Sequence, residues 1–291
     1  MKEIKVLHID EFGPEKEYSY FYSNTFKQHA GSFHEAISLP HKHDFFVLVF
    51  FSSGSGVHEI DFHSYPILPG SVFMMSPGQT HHWKFTADTD GFVLFHTREF
   101  YEMHFMNRSL YNFPFYYSVQ NPSSLFIPDE DRECISGLFA RIFREHMRGG
   151  YMSTPLVASL LDILYINMSR LYLQTENSEV TVPAGYTKKI RILERLIEEH
   201  YPVEKSASAY AAMMNISPKH LNRMVKLSLG KTVTELVADR VLLEAKRLLV
   251  HAPKSFAAIA RTLGYEDYAY FSRFFRRNTG MTPSDFVRRY R

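Results

Sequence analysis

Cysteine is nearly missing from this chain. Its 291 residues hold one, Cys134, and one tryptophan, Trp83. A single cysteine excludes an intrachain disulfide framework and a cysteine-rich zinc site, and it fits a reducing, cytoplasmic compartment. Long apolar runs are missing too. The longest strongly apolar stretch, Phe45 to Phe51, has seven residues, whereas a membrane-spanning helix needs about 20. The N-terminal text MKEIKVLHIDEFGPEKE has no apolar segment of signal-peptide length. A soluble protein with no membrane partner is expected. Disorder is excluded as the main state, because 45% of the residues are hydrophobic and 22% charged. The length suits two domains.

A net charge is also nearly missing, at +2 overall, but the sum hides a division. Residues 1–185 carry 13 Lys+Arg and 21 Asp+Glu, a net of −8, and residues 186–291 carry 20 and 10, a net of +10. Twelve of the 15 histidines lie in the first part. A basic C-terminal third on a mildly acidic remainder points to a polyanion-binding domain fused to something else.

From Phe33 to His96 the pattern predicts β-structure. Phe45–Phe51 is rich in β-formers, His58–Phe62 alternates, and Val72–Met75, Trp83–Phe85 and Phe92–Phe95 follow, separated by turns at Gly54-Ser55-Gly56, Pro69-Gly70 and Pro77-Gly78. Short strands at this spacing predict a sandwich or barrel. From Asp129 the period becomes helical, through Cys134, Leu138, Ile142 and Phe143, and Gly149-Gly150 breaks the helix. A second helix opens near Ser153-Thr154-Pro155, with Thr154 as its expected cap, and runs along Leu156, Leu160, Leu164 and Met168. Leu161, Ile163 and Tyr165 make it apolar on more than one face, so it needs more than one neighbour: the barrel, and in the sharper reading a second copy of the chain. The polar text of residues 174–185 holds the expected linker.

The basic third contains an internal duplication. At an offset of 50, Arg223 matches Arg273, Gly230 matches Gly280, Thr232 matches Thr282 and Val237 matches Val287; upstream, Ala211 matches Ala260 and Asn215 matches Gly264 at an offset of 49. Each unit reads as a short helix, a left-handed turn at Asn215 or Gly264, and a second helix capped by Ser217 or Asp267. Each second helix has an apolar face, Leu221, Met224, Val225 and Leu229 in one and Phe271, Phe274 and Phe275 in the other. The opposite face holds Lys219, Asn222, Arg223 and Lys226, or Tyr268, Tyr270, Arg273, Arg276 and Arg277. An apolar face docks such a helix and leaves a basic face outward, which is what reading a DNA major groove requires. A long helix over about Thr234–Leu249 joins the units and fixes their separation.

Residues 258–289 carry Ile259-Ala260, Gly264-Tyr265, Phe271-Ser272-Arg273, Phe275-Arg276, Gly280 and Thr282-Pro283. Here the sequence resembles the AraC/XylS family of bacterial transcription regulators. The first unit departs from the pattern at Asn215, where glycine is usual, and at Thr232-Val233-Thr234. The resemblance implies base-edge contacts from Lys219, Asn222 and Arg223 and from Tyr268, Ala269, Tyr270 and Arg273, with Ser217 at the head of the first reading helix. Arg223 and Arg273 suit guanine and Asn222 suits adenine; Lys226, Arg276 and Arg277 suit phosphates. It also implies double-stranded promoter DNA, a small-molecule effector and RNA polymerase as partners, and activation rather than repression; a homodimer is expected from the two apolar central helices alone.

Further upstream, Pro40-His41-Lys42-His43, Pro69-Gly70 and Pro77-Gly78-Gln79-Thr80-His81-His82-Trp83 resemble the cupin barrel that many members of the family carry as a sensor. The implied fold is α+β and multidomain: an effector-binding cupin-like barrel over 1–128, a helical dimerisation segment over 129–177, a linker over 178–185, and an all-α domain with two helix-turn-helix units over 186–291. His43, His81 and Trp83 are the expected effector contacts, with Trp83 suited to stacking on a sugar. No cofactor is expected. His41, His43 and His81 occupy the three histidine positions of metal-binding cupins, but Val47 and Leu48 stand where the glutamate belongs, so a three-histidine site is the alternative to a metal-free pocket. A metal-dependent cupin enzyme, a dioxygenase or isomerase with a helical appendage, is the rival class; the missing glutamate weakens it and leaves a non-enzyme as the first reading. A sequence-indifferent DNA binder is a third, and the two unlike reading faces argue against it.

Overall fold

The computed structural model describes residues 4–12, 20–37, 39–105, 110–117, 121–175, 184–252 and 254–290. They fall into two compact units, one spanning Lys5–Asn177 and the other containing Ser178–Arg291.

The first unit contains, in order, β1 (Lys5–Leu7), β2 (Phe21–Thr25), α1 (Phe26–Ile37), β3 (His41–His43), β4 (Phe46–Ser53), β5 (Gly56–Ile60), β6 (His63–Ile67), β7 (Ser71–Met75), β8 (His81–Phe85), β9 (Asp90–His96), α2 (Arg98–His104), α3 (Pro114–Tyr117), β10 (Ser124–Phe126), α4 (Asp129–Arg148) and α5 (Ser153–Thr175). The strands form two five-stranded sheets, ordered β1-β3-β8-β5-β6 and β10-β7-β4-β9-β2. One apolar core lies between them, drawing Ile60 and Trp83 from the first sheet and Val47, Val49, Phe51, Phe73, Met75, Val93 and Phe95 from the second. This is the expected cupin-like barrel.

Strand β4 explains the seven-residue apolar run. Val47, Val49 and Phe51 belong to the barrel interior. Phe46, Leu48 and Phe50 belong to a second core outside the sheet, shared with α4 and α5. A strand buried on both faces reads as a continuous apolar run rather than as an alternation. The helices of 129–177 are thus part of the same compact unit as the barrel.

Several boundaries differ from expectation. Residues 34–37 are helical, within α1, which kinks at Phe33 (φ −120°, ψ 20°), and none of this segment is β. Phe26, His29, Ala30 and Ile37 are buried positions on it, a helical spacing that the β-formers nearby concealed. In α4 the buried stripe is Ile135, Phe139 and Ile142; Cys134 is exposed and Leu138 and Phe143 are half-buried, so the helix is turned about one residue from the expected face. Thr154 lies inside α5, not at its cap. Of the linker expected over 178–185, residues 178–183 lie outside the described residues, and Ala184 and Gly185 already belong to the next helix.

Helix α5 is the one described helix long and apolar enough to cross a membrane. Its apolarity has a nearer cause: Leu160, Leu161, Leu164, Tyr165 and Met168 are buried in the core outside the second sheet. Polar pins fix it there. His96 and the Tyr165 hydroxyl are 2.6 Å apart, and Tyr101 donates to Asp162 at 2.6 Å. Leu156, Ile163 and Leu173 are left exposed on α5.

The second unit is all α: α6 (Ala184–His200), α7 (Ala207–Met213), α8 (Pro218–Leu229), α9 (Val233–His251), α10 (Phe256–Thr262), α11 (Tyr268–Thr279) and α12 (Pro283–Tyr290). Helix α9 is the expected connecting helix and starts with a capping box between Thr232 and Glu235. It packs against α6, α8, α10 and α12, so both halves of the duplication dock on one rod about 28 Å long.

An ion-pair cluster ties α9 to α6. Arg240, which is buried, reaches Glu198 at 2.5 and 2.8 Å and Glu244 at 3.2 Å, and lies 4.1 Å from the Tyr201 ring centroid. Arg240→Ala leaves these groups without their cation and is expected to cost about 2–4 kcal/mol in urea unfolding of the full chain. Arg195→Ala, which removes an exposed pair 3.9 Å from Glu199, is expected to cost less than about 0.5 kcal/mol. Equal costs would show that the buried cluster does not hold the helices together.

Candidate functional site

The two reading helices are built alike. Ser217 caps α8, accepting from the His220 amide at 3.2 Å, and Pro218 takes the first position. Asp267 caps α11, accepting from the Ala269 amide at 2.7 Å. Each is preceded by a turn in the left-handed region, at Asn215 (φ 54°) and Gly264 (φ 79°). The turns close with matching bonds, Ile216 N–H to Ala211 O at 3.0 Å and Tyr265 N–H to Ala260 O at 2.9 Å. The expected departure at Asn215 therefore leaves the turn geometry intact. Both helices end on a left-handed glycine, Gly230 and Gly280.

Leu221, Met224 and Val225 are fully buried under α8, and Phe271 and Phe275 under α11. Leu229 and Phe274 are half-buried. On the other side Ser217, Lys219, Arg223, Lys226, Ala269, Tyr270, Arg273, Arg276 and Arg277 are exposed. Among the described residues neither Arg223 nor Arg273 is held in an ion pair within the bundle. The Arg273 guanidinium instead lies 6.0 Å from the Tyr270 ring centroid.

Two candidates depart from the outward placement. Asn222 is half-buried; its amide donates to Pro218 O at 3.3 Å and its carbonyl accepts from the Val233 amide at 3.1 Å. It caps the start of α9, so its adenine-reading groups are engaged within the bundle. Tyr268 is also half-buried, stacked on Phe256 with ring centroids 6.2 Å apart.

In the first unit the histidines converge inside the barrel. His41 and His43 sit two apart on β3, which turns both inward, and His41 pairs in register with His81 on β8. Their ligating nitrogens all lie within 4.8 Å of one another. His43 Nε2 and His81 Nε2 are 2.7 Å apart, and His81 Nδ1 is 2.9 Å from His58 Nε2. His41 Nδ1 donates to the Leu39 carbonyl at 2.8 Å. His58 and His29 are fully buried as well. Desolvation holds all five neutral: it pushes His29 down to about 3 and His41 to about 4, and holds His43, His58 and His81 well below the usual 6.5.

Trp83 is enclosed by rings, with centroid distances of 5.6 Å to Phe26, 5.1 Å to His58 and 4.8 Å to His81. The expected platform for a sugar is thus taken up by neighbours. Its Nε1, with His29 Nε2, His41 Nε2, His43 Nδ1 and His58 Nδ1, is buried without a hydrogen-bond partner.

Sequence reasoning left out His58 and His29. The alternation His58-x-Ile60 on β5 was the available signal for the first; His29 was hidden because β-structure was read from Phe33 onward and no helix was assigned before it. His63 is exposed and His82 half-buried beside Glu59, 3.7 Å away.

Residues 210–289 match the family model described as a helix-turn-helix domain, and residues 29–99 match that of an AraC-like ligand binding domain. The arabinose operon regulatory protein of Escherichia coli is 26% identical over 241 residues, covering 80% of this chain and 77% of that protein. The chain belongs to the AraC/XylS family of transcription regulators. The HTH-type transcriptional activator RhaS of Citrobacter koseri is 26% identical over 249 residues, covering 84% and 86% of the two chains. A crystal structure of apo ToxT from Vibrio cholerae aligns over 94% of this chain and 99% of its own, at 13% identity and a TM-score of 0.40. As a member of the AraC/XylS family the chain is a DNA-binding transcription regulator, with a ligand-binding unit before its helix-turn-helix unit. The convergent histidines accordingly belong to a regulator's sensor unit.

Proposed function

We propose that this regulator activates transcription from a promoter operator in the cytoplasm, recruiting RNA polymerase when a small effector occupies the barrel near His43, His81 and Trp83. The activating sense is supported by the RhaS relative, a transcriptional activator. The barrel senses rather than catalyses: the relatives are regulators, and Val47 lines the interior where a cupin enzyme would use a carboxylate.

The observation that carries the DNA reading is the likeness of α8 and α11, each docked by an apolar face with an unpaired arginine outward. Lys219, Arg223, Ala269, Tyr270 and Arg273 contact base edges. Ser217, Lys226, Arg276 and Arg277 hold phosphates, and Tyr268 and Asn222 support the two helices. Residues 5–128 provide the sensor core, 129–177 cover it, and the exposed Leu156, Ile163 and Leu173 on α5 form the face on which two copies pair.

Arg273→Ala is expected to weaken operator binding by about 1–3 kcal/mol and relax preference at one base pair, as read by titration of labelled operator variants. Lys226→Ala should weaken all sequences alike and flatten the salt dependence by about one charge. Undiminished affinity and preference in Arg273→Ala would remove α11 from the reading surface.

A further inference from the structure

We propose that the barrel of this regulator binds one divalent transition-metal ion through His41, His43 and His81, and that this ion is the effector it senses. The second clause rests on the regulator reading; the first does not.

The tautomers point the same way. The Leu39 carbonyl can only accept, so His41 Nδ1 carries the ring proton at 2.8 Å and His41 Nε2 presents a bare lone pair. That atom is buried and has no partner. An imidazole fixed through one nitrogen by an outer acceptor, with the other aimed at a shared point, is the arrangement of a metal ligand. His81 repeats it: its Nδ1 meets His58 Nε2 at 2.9 Å, while its Nε2 faces His43. His58, fully buried and outside the trio, serves as the acceptor that orients His81.

The contact between His43 Nε2 and His81 Nε2, at 2.7 Å, has one proton shared between two lone pairs. An ion takes that proton's place. Two imidazole nitrogens on one tetrahedral zinc stand roughly 3.4 Å apart, so the pair must part by about 0.7 Å. His43 can supply this movement, since its Nδ1 is held by no partner.

Donor chemistry sets the class of ion. Three neutral nitrogens and no carboxylate select zinc, nickel, cobalt, copper or ferrous iron over calcium and magnesium, which take oxygen ligands. A double positive charge in an apolar interior needs an anion beside it, so the open position suits hydroxide or a small anion.

The ion would also bridge a thin seam. Among the described residues β3 and β8 share a single register pair, His41 with His81. On its other edge β3 pairs with β1, Lys5 with His41 and Leu7 with His43, and the Phe12 ring lies 6.3 Å from His43. Closing the seam therefore steadies the N-terminal strand as well as the sheet, giving the ion a preference for one arrangement of the sensor.

The test uses the full chain, stripped with chelator and titrated with cobalt(II). One equivalent per chain, an intense visible band of four-coordinate cobalt displaced by zinc, and a melting temperature raised by zinc are expected. His41→Ala and His43→Ala should each lose the band and the equivalent, while His63→Ala, at an exposed histidine, keeps both. Less than a fifth of an equivalent in the wild-type chain, or an undiminished equivalent in folded His41→Ala, overturns the site; should His41→Ala not fold, His41→Gln serves in its place. Saturating zinc should change affinity for a selected operator at least about five-fold. A bound ion with unchanged operator affinity overturns the sensing clause. No ion but operator binding that still depends on Arg273 overturns the ion and leaves the regulator standing; a bound ion with no operator preference at all does the reverse.

Discussion

Replacing Gly264 by alanine is expected to cost about 3–5 kcal/mol of stability and to abolish operator binding. The residue sits at φ 79°, and a Cβ there would lie 1.7 Å from the Pro202 carbonyl oxygen and 2.8 Å from Lys205 Nζ. The lysine can swing away; the Pro202 backbone cannot. Left-handed strain adds about 1–2 kcal/mol. Since this turn aims α11, a displaced Pro202 segment moves the face that carries Arg273. Gly280→Ala is the control: its φ is 75° but nothing lies within 4 Å of the added carbon, so only about 1 kcal/mol of strain is expected. Urea unfolding and operator titration of the two full-length variants separate the cases. Equal costs would mean that the backbone approach is not what requires glycine.

Acid should unfold the sensor unit well above the carboxylate range. Burial holds His29 at about 3 and His96 at about 4, against 6.5 when exposed. Above pH 6.5 both states are neutral and pH has no leverage. Between 6.5 and 4 the unfolded chain takes up protons that the folded chain refuses, so stability falls as pH falls. Each histidine contributes about 1.4 kcal/mol per pH unit in that window, or about 5 kcal/mol for the two together by pH 4.5. The fluorescence of Trp83, the lone tryptophan, reports the barrel directly. His96→Gln keeps a partner for the Tyr165 hydroxyl and should flatten the slope by one proton. Stability unchanged from pH 7 to 5 would mean that these imidazoles are solvated.

The helix-turn-helix units were legible because their signals are local. Caps, left-handed turns and faces of three to four residues all lie within 25 residues of one another, and a duplication states them twice. What escaped was set by partners far off in sequence. Asn222 was read as a base contact because its helical face is right; the Val233 amide that engages it becomes its neighbour only when α9 folds back. Arg240 was one cation among many until α6 brought Glu198 to it. In the barrel the turns were readable, and alternation with Ile60 pointed His58 inward, but its contact with His81 existed only once β8 paired with β5, and α1 was masked by aromatics that favour strands equally well. The trio His41, His43 and His81 was visible as a motif; the carbonyl that fixes His41's tautomer was not.

Strand β4 has a mechanical consequence. The peptide units that carry Val47, Val49 and Phe51 toward the histidines also carry Phe46, Leu48 and Phe50 into the α4–α5 layer. A backbone shift that moves an inner residue also moves its outer neighbours, because successive residues share a rigid peptide plane. A change of occupancy in the interior is thus delivered to the outer helices by a single covalent strip, with no relay of loops between, and amide exchange along α5 should register it as soon as the interior is filled.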